Sequence, residues 1–513
     1  MRLTRLPGAY RCEQRQELLY PDPSGGRHAD YRKVPMNPLD DIKAIITEFG
    51  PPGYENDKGK FSKLNEPFWA AYYARQQTKI IFEPNEREFY DYDPATGIFV
   101  PKSSDRIRTE LSALVMEAAH AWSGFLAMEQ FRSAQILAGV LAHLRGQIEE
   151  RNFFNQSFHL VHLGNCVLRF EPDGSKFRAE SFSPLHHSRN RSPLSYDPKA
   201  TCPNFEKFIR GHIEEDDRLL LQKYAGQCLL GRNLTQRFVV FDGEGAASKG
   251  AFVLIVRGVV GPANAYELRT NHLGERFEIG RMVGKTLLLG ADVRANFMAG
   301  PGASRLKALV GGDMLEAERK GSNQTIYVDG NFNILITSNS RLRVNLEGDQ
   351  SAWRRRITIA RADKPFPGKK IPEIHERLLN AEGAGILNWL LDGLKKLLRD
   401  ISEHGDIALS QRQKDRVESL LLESDSLRIF VKQNVSRFNG SDLTVSELVE
   451  KYMKFCADSG WSPIPVAIVH RQLDDILLEL FAVSKSNSIG RNGTAVRGYR
   501  NLKFRSPTDE DPS

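Results

Sequence analysis

The feature that most constrains this chain of 513 residues is a strand–loop–helix pattern between residues 238 and 260. The apolar run 238–241 predicts a buried strand, and apolar residues recur at helical spacing over 252–259. Between them lies the segment Gly243-Glu244-Gly245-Ala246-Ala247-Ser248-Lys249-Gly250. Glycines before a helix let backbone N–H groups surround a phosphate at the positive end of the helix dipole. The pattern therefore predicts an α/β domain with a phosphate-binding loop.

This loop departs from the usual phosphate-binding pattern at two positions. Lys249 stands where a lysine reaches the β and γ phosphates, but the chain has Ser248-Lys249-Gly250 where Gly-Lys-Ser or Gly-Lys-Thr is usual. Gly250 has no hydroxyl for magnesium, although a magnesium-bound water can take its place. Taken alone, the loop is equally well a flexible turn between a strand and a helix. The predicted nucleotide-binding residues are Gly243, Gly245, Ala246, Ala247, Ser248, Lys249 and Gly250.

Two further apolar runs each end in a polar residue suited to a nucleotide site. Residues 286–291 lead to Asp292, a candidate for holding magnesium and the attacking water, and residues 332–338 lead to Asn339. A strand-terminal asparagine can orient a water beside the γ phosphate. The alternatives are a helix cap or turn for Asp292 and an Asx turn for Asn339.

Basic residues follow in two segments. The stretch 305–320 reads as a helix start, a Gly-Gly break and a charged tail, which predicts a mobile loop that contacts phosphates. Trp353-Arg354-Arg355-Arg356 precedes the strand-like run 357–359 and can supply an arginine to the γ phosphate of a neighbouring subunit. A solvated basic turn is the alternative for any one of these arginines.

The order and spacing of "LKALVGGDMLEAERK", "NILITSN" and "AWRRRITI" resemble the superfamily 3 helicases of the poxviral and satellite-phage primase-helicase type. Upstream, Phe89-Tyr90-Asp91-Tyr92-Asp93 and Cys202-Pro203-Asn204-Phe205 are similar to the region before the helicase core of that family, so the resemblance covers roughly residues 66–505. It implies a P-loop, AAA+-like α/β core in a ring, usually a hexamer. Such a ring hydrolyses ATP at subunit interfaces and moves 3′ to 5′ on single-stranded DNA.

The resemblance also implies roles for individual residues, with ATP and Mg²⁺ as cofactors. Lys249 would contact phosphate, Asp292 would hold magnesium, and Asn339 would act as a sensor. Lys307 and Lys320 fall in a segment that forms DNA-contacting loops, and Arg355 or Arg356 would be the arginine finger. Ser248, Gly250 and the absence of a glutamate beside Asp292 put the rate of hydrolysis in question more than the fold.

Composition agrees with this interpretation but does not decide it. The net charge of +7 is mild, the five cysteines are far apart, and 41% hydrophobic residues suffice for several buried cores. No run is long and apolar enough to cross a bilayer, which predicts a cytoplasmic protein in a bacterium or an infected cell.

Four domains are predicted: an extension (1–65), an α+β and helical collar (66–205), the ATPase core (206–400) and a winged helix (405–505). A substrate-specificity domain is the alternative for the collar. In the last domain, helices at 412–438, 444–459 and 466–481 precede a two-stranded ribbon without acidic residues. One-signed charge favours contact with a nucleic-acid backbone, and a solvated basic edge strand is the alternative. The DNA-contacting candidates here are Lys485, Arg491, Arg497 and Arg500.

Two functions remain open from the sequence. The first is an ATP-dependent replicative helicase of a phage, plasmid or genomic island, which acts on origin and single-stranded DNA with a separate primase or polymerase as a partner. The second is a DNA-binding initiator or loader whose altered loop no longer hydrolyses ATP. Asp91 and Asp93 have the spacing of a primase metal pair, but they lie in the segment similar to the collar, which disfavours a primase.

Overall fold

The computed structural model describes residues 38–122, 125–156, 159–243, 248–294, 297–299, 302–321, 324–339, 342–344, 346, 350–364, 371–491 and 493–505. The described chain divides into two compact units. The first comprises residues 38–160 and 179–191, and the second comprises residues 161–178 and 192–505. Within the described residues, no helix has the length and apolar character to cross a membrane.

The first unit contains both helices and strands. Ser103 and Ser133 cap two of its helices by accepting hydrogen bonds from the backbone N–H groups of Arg106 and Ile136. A 3₁₀ turn at Leu126–Gln130 precedes the second of these helices, which begins only after the Ser133 cap. The helices and strands of the first unit are α1 (Pro38–Phe49), β1 (Gly53–Glu55), β2 (Phe61–Leu64), α2 (Glu66–Gln76), β3 (Ile80–Glu83), β4 (Glu88–Asp93), β5 (Ile98–Lys102), α3 (Ser104–Ala121) and α4 (Ala134–Gln147).

The two aspartates considered for a primase have structural contacts in this unit. Asp91 forms an ion pair with Lys102 at 2.8 Å, and Lys102 also contacts Glu110 at 2.8 Å. Asp93 accepts hydrogen bonds from the Ala95 N–H at 3.0 Å and the Thr96 hydroxyl at 2.6 Å. Asp91 therefore joins β4 to its neighbours, and Asp93 closes a turn.

The second unit is built on a parallel sheet. Before this sheet along the chain come three short strands, β6 (Leu160–His162), β7 (Val167–Phe170) and β8 (Phe177–Glu180), which form a sheet in that order and are not assigned to one unit alone. The elements of the core are α5 (Pro203–His212), α6 (Glu215–Leu230), β9 (Phe238–Asp242), α7 (Ser248–Val260), β10 (Ala265–Glu267), β11 (Leu287–Gly290), α8 (Ala303–Gly311), β12 (Met314–Glu318), β13 (Thr325–Asp329), β14 (Asn333–Thr337), α9 (Gln350–Arg356), β15 (Ile357–Arg361) and α10 (Ile374–His404).

The strand order of the main sheet is β10-β11-β14-β9-β15, and every neighbouring pair is parallel. The strands are apolar on both faces, as expected when helices cover both sides of a parallel sheet. Their carboxyl ends lie along one edge, with β14 between β9 and β11. This order places the residues after the three strands next to one another.

The segment predicted as a mobile phosphate loop is a helix followed by a β-hairpin. Helix α8 ends at Gly311, and Gly312 adopts a positive φ of 84°. In the following antiparallel pair, β12 and β13, Ala317 opposite Ile326 is buried while Glu316 opposite Tyr327 is exposed. This two-residue alternation, which the charged residues obscured, explains why the segment forms strands.

The C-terminal part has one more helix and one more strand than predicted. Residues 412–438 were expected to form one helix, but the chain bends at Asp425 and leaves the helix at Val435. Val435 and Leu443 pack into the core while residues 437–440 are exposed. The elements are α11 (Gln411–Ser424), α12 (Ser426–Asn434), β16 (Val435–Thr444), α13 (Val445–Asp458), α14 (Val466–Phe481), β17 (Lys485–Arg491) and β18 (Thr494–Phe504), with strand order β16-β18-β17.

Candidate functional site

The glycine-rich loop begins where β9 ends. Gly243 has a φ of 138°, and a Cβ atom there would lie 2.5 Å from the carbonyl oxygen of Ala362, so only glycine fits. Residues 244–247, including the predicted Gly245, Ala246 and Ala247, lie outside the described residues. Helix α7 then begins at Ser248. The strand and the helix predicted from the sequence are both present.

A continuous chain of hydrogen bonds connects the ends of β9, β14 and β11. The Lys249 ammonium donates to the Gly243 carbonyl oxygen and to Asn339 Oδ1, the latter at 2.8 Å. Asn339 Nδ2 in turn donates to Asp292 Oδ1 at 2.8 Å. The structure thus brings together Lys249, Asp292 and Asn339, which are far apart in the chain.

Lys249 is a buried cation, with 4% of its surface exposed. Burial lowers the pKa of its ammonium group, and the carboxylates of Asp242 and Asp292 act in the opposite direction. A partly desolvated ammonium at the N-terminus of a helix gains from an anionic ligand, because both the charge and the helix dipole favour negative charge. These groups fit the phosphates of a nucleotide.

The backbone of Asp292 has an unusual conformation and forms a hydrogen bond to β14. It has a positive φ of 46°, and its N–H donates to the hydroxyl of Thr337 at 2.9 Å. Its carboxylate is solvent-exposed at the edge of the sheet. Within the described residues, no group of three or more histidine, cysteine or acidic side chains could hold a metal ion. A single exposed carboxylate such as that of Asp292 could serve as a ligand of Mg²⁺, which is often bound by one or two carboxylates, substrate phosphates and its own waters. The role of Thr337 was not predicted from the sequence.

A second pair at this edge was missed by sequence reasoning. Asp242 accepts a hydrogen bond from the Gly243 N–H at 2.7 Å and one from the Arg361 guanidinium at 3.2 Å. The Arg361 N–H donates to buried Asp217 at 3.3 Å, and Asp217 pairs with Arg416 of α11 at 2.7 Å. The start of the glycine loop is thus connected to the first helix of the C-terminal part. The signal in the sequence was the carboxylate directly before Gly243.

The three consecutive arginines lie at the opposite edge of the sheet. They end α9, and β15 then runs parallel to β9 with Ile357 opposite Phe238. Arg354 pairs with Glu418, and Arg356 donates to the carbonyl oxygens of Lys307 and Ala352. Arg355 is exposed and has no hydrogen-bond or ion-pair partner among the described residues.

The two lysines predicted to contact DNA in the core have different surroundings. Lys307 lies on α8, with its ammonium 5.3 Å from the centre of the Trp353 ring. Lys320 is exposed in the turn of the β12–β13 hairpin. Lys320 is therefore placed to reach a ligand outside the sheet, whereas Lys307 packs against α9.

The four basic residues predicted to contact DNA in the ribbon fall into two pairs. Lys485 forms an ion pair with Asp474 at 3.1 Å, and Arg491 pairs with Glu447 at 3.0 Å. Arg497 is exposed and has no partner among the described residues, and Arg500 donates to Ser488 rather than to a carboxylate. The positive charge of the ribbon is therefore least compensated at Arg497 and Arg500.

Comparisons with known proteins give one family and a set of structures. Residues 241–356 match the model of a family of unknown function, DUF5906. No curated protein sequence matches the chain. Similar solved structures include the A form apo structure of the NrS-1 C-terminal region, with a TM-score of 0.40, 13% identity, and coverage of 84% of this chain and 98% of that chain. An apo structure of the NrS-1 C-terminal region gives a TM-score of 0.41, 14% identity, and coverage of 85% and 99%.

Proposed function

We propose that this chain is an ATP-dependent DNA helicase that forms a ring, moves 3′ to 5′ on single-stranded DNA and serves the replication of a phage, plasmid or genomic island. The observation that carries the proposal is the hydrogen-bonded series Lys249–Asn339–Asp292 beside a glycine loop, at the carboxyl edge of a parallel sheet. Ligands bind to open α/β sheets at this edge. On this proposal, the protein works in the cytoplasm of a bacterial host or an infected cell.

Each residue of this series has a distinct task in ATP hydrolysis. Lys249 would bind the β and γ phosphates, exchanging its bonds to Gly243 and Asn339 for bonds to the nucleotide. Asn339, once released from Lys249, would orient the attacking water. Asp292 would hold Mg²⁺, which would neutralise the charge that develops on the phosphates.

The place of Arg355 supports a ring. Five residues of β15 separate the arginines from the carboxyl edge, a distance of roughly 16 Å at about 3.3 Å per residue. Arg355 is therefore too far from the nucleotide of its own subunit to contact it. In a head-to-tail assembly, Arg355 could contact the nucleotide bound by the neighbouring subunit. A closed ring of such interfaces, on our proposal a hexamer, gives every subunit an arginine from the next one.

A strand-displacement assay tests the proposed function directly. The substrate is a duplex with a single-stranded tail at one end, prepared with either a 3′ or a 5′ tail. With ATP and Mg²⁺, the protein should release the shorter strand of the 3′-tailed duplex and leave the 5′-tailed one intact. Equal release from both would contradict the proposed direction, and release without ATP would contradict the proposed motor.

One observation favours the initiator or loader as a second candidate. Gly250 lies near the start of α7, at the position where the phosphate-binding pattern has a serine or threonine. Glycine has no hydroxyl group to bind Mg²⁺. Under this candidate the ring and the C-terminal domain would bind DNA without turnover of ATP.

Replacing Gly250 with serine should raise magnesium-dependent ATP turnover by about 10-fold, or about 1.4 kcal/mol of the barrier, because the added hydroxyl can bind Mg²⁺ directly in place of a water. The added side chain has room, because a Cβ atom at this position meets nothing within 4 Å. Gly250→Ala is the matched control, since it adds the same Cβ atom without a hydroxyl. Steady-state phosphate release at varied Mg²⁺ measures the effect. Equal rates for the serine and alanine variants would show that the hydroxyl has no part in metal binding.

Replacing Arg497 and Arg500 together with alanine should weaken binding to duplex DNA and lower the salt slope by roughly 2, at about 0.9 per phosphate contact. The measurement is fluorescence anisotropy of a labelled duplex over a series of salt concentrations. Lys485→Ala is the control in the same ribbon, because Asp474 already compensates that charge. An unchanged salt slope in the double variant would show that these ribbon residues do not contact DNA.

A further inference from the structure

The helix that precedes the ribbon carries the wrong charge for DNA. Helix α14 has Asp474, Asp475 and Glu479 in its second half, against one arginine, Arg471. Glu479 pairs with Arg428 of α12, and Asp474 accepts hydrogen bonds from Lys485 and the Tyr499 hydroxyl. An acidic helix repels phosphate, so contact with a nucleic acid must come from another face of the C-terminal domain.

An aromatic and basic surface lies at the start of β16 and the end of β18. Phe438 is 53% exposed, and it is the one exposed phenylalanine among the residues that the structure describes. The Lys503 ammonium lies 5.0 Å from the centre of its ring. Arg437 donates to the Phe481 carbonyl oxygen at 3.4 Å, and Arg505 donates to that of Val435 at 3.2 Å. The exposed ring thus contacts one cation, and the two arginines of the same surface, Arg437 and Arg505, are held by backbone oxygens.

We propose that this surface, formed by Phe438 with Arg437, Lys503 and Arg505, binds a single strand of DNA by stacking one unpaired base on the Phe438 ring. The cations contact the flanking phosphates. The combination of a basic surface and an exposed aromatic ring is that of single-strand binding sites, in which rings stack on bases of any sequence. A duplex offers no free base face, because its bases are stacked on one another. The surface therefore prefers an unpaired strand.

The local backbone supports this role. Ser436 lies opposite Lys503 in the antiparallel pair, and a register irregularity between Arg437 and Asp442 interrupts the pairing directly before Phe438. Gly440, with a φ of 87°, turns the chain there, and a Cβ atom at Gly440 would meet nothing within 4 Å. The ring therefore stands beside an open turn. Asp442, the nearest acid in this strand, accepts a hydrogen bond from the Asn501 N–H at 3.1 Å.

The inference rests on the proposed role of the chain on DNA, but its test needs no ATP. The full-length protein is bound to an oligothymidylate of roughly 20 nucleotides, longer than the ~4–16 nucleotides of one single-strand site, in which iododeoxyuridine replaces some thymidines. Irradiation links the modified base to a stacked aromatic side chain, and mass spectrometry locates the link. We expect a link at Phe438, and links confined to other residues would overturn the proposal.

Variants of the same residue complete the test. Phe438→Ala should lower single-strand affinity about 10-fold, a typical loss for one stacked base, and leave duplex affinity unchanged. Phe438→Trp should retain binding, and Leu478→Ala, which removes a similarly exposed apolar side chain from α14, should have no effect. An unchanged single-strand affinity of Phe438→Ala, or an equal loss on duplex, would overturn the proposal. These binding measurements do not depend on ATP hydrolysis. A negative result for the Phe438 surface can therefore be distinguished from a negative result for the proposed helicase activity.

Discussion

Replacing Arg355 with alanine should lower ATP turnover by roughly 10³-fold, the lower end of the effect of an arginine finger, while ATP binding persists. The physical reason is that the guanidinium would stabilise the charge on the γ phosphate of a neighbouring subunit only in the transition state. Turnover is measured as phosphate release in the presence of single-stranded DNA. Binding of ATP is measured with a fluorescent ATP analogue. Arg354→Ala is the matched control, because its exposed pair with Glu418 contributes only about 0–1 kcal/mol.

Mixed rings decide whether this arginine acts between subunits. Subunits with Arg355→Ala retain Lys249, and subunits with Lys249→Ala retain Arg355. When inactive samples of the two variants are mixed and allowed to exchange, some interfaces combine an intact Lys249 with an intact neighbouring Arg355, and partial turnover should return. No recovery in rings shown to contain both variants would contradict a trans-acting Arg355.

Replacing Lys249 with alanine should lower ATP turnover at least 10²-fold, the scale of one lost electrostatic contact to the transition state. Binding to DNA in the absence of nucleotide should be unchanged, because the proposed DNA contacts lie in the β12–β13 hairpin and the C-terminal domain. Phosphate release and anisotropy of labelled single-stranded DNA measure the two properties on one preparation.

A control is needed because Lys249 is buried and bonded to Gly243 and Asn339. Lys285→Ala removes a lysine of the same unit that donates only to the Ala263 carbonyl oxygen among its described contacts, and it should retain turnover. Thermal unfolding of both variants shows whether the fold is intact. Wild-type turnover in a folded Lys249→Ala protein would mean that the nucleotide lies elsewhere.

The elements around the site were accessible from sequence because buried parallel strands are short apolar runs with clear ends. Asp292 and Asn339 follow such runs, and the structure brings them together with Lys249 because β14 lies between β9 and β11. Their adjacency could not be deduced, since strand order depends on tertiary packing. The pairing of Asp242 with Arg361 was hidden for the same reason, because it joins strands that are far apart in the chain.

Other features were misjudged where local signals competed. Charges in residues 313–320 suggested a loop, although pairing with β13 buries alternate residues and makes a hairpin. The helix predicted through residue 438 ends at Asn434, because Val435 enters a sheet with β18 that no local pattern reveals. Only the structure separates the ribbon residues Lys485 and Arg491, which are compensated by acids, from Arg497 and Arg500.

The measurement that tests the central claim most directly is steady-state ATP hydrolysis by the purified protein, with and without single-stranded DNA. The account predicts magnesium-dependent turnover that DNA stimulates and that Lys249→Ala removes, despite the exchanged residues Ser248 and Gly250. Absence of turnover, in a protein that still binds DNA, would contradict it and favour the initiator or loader.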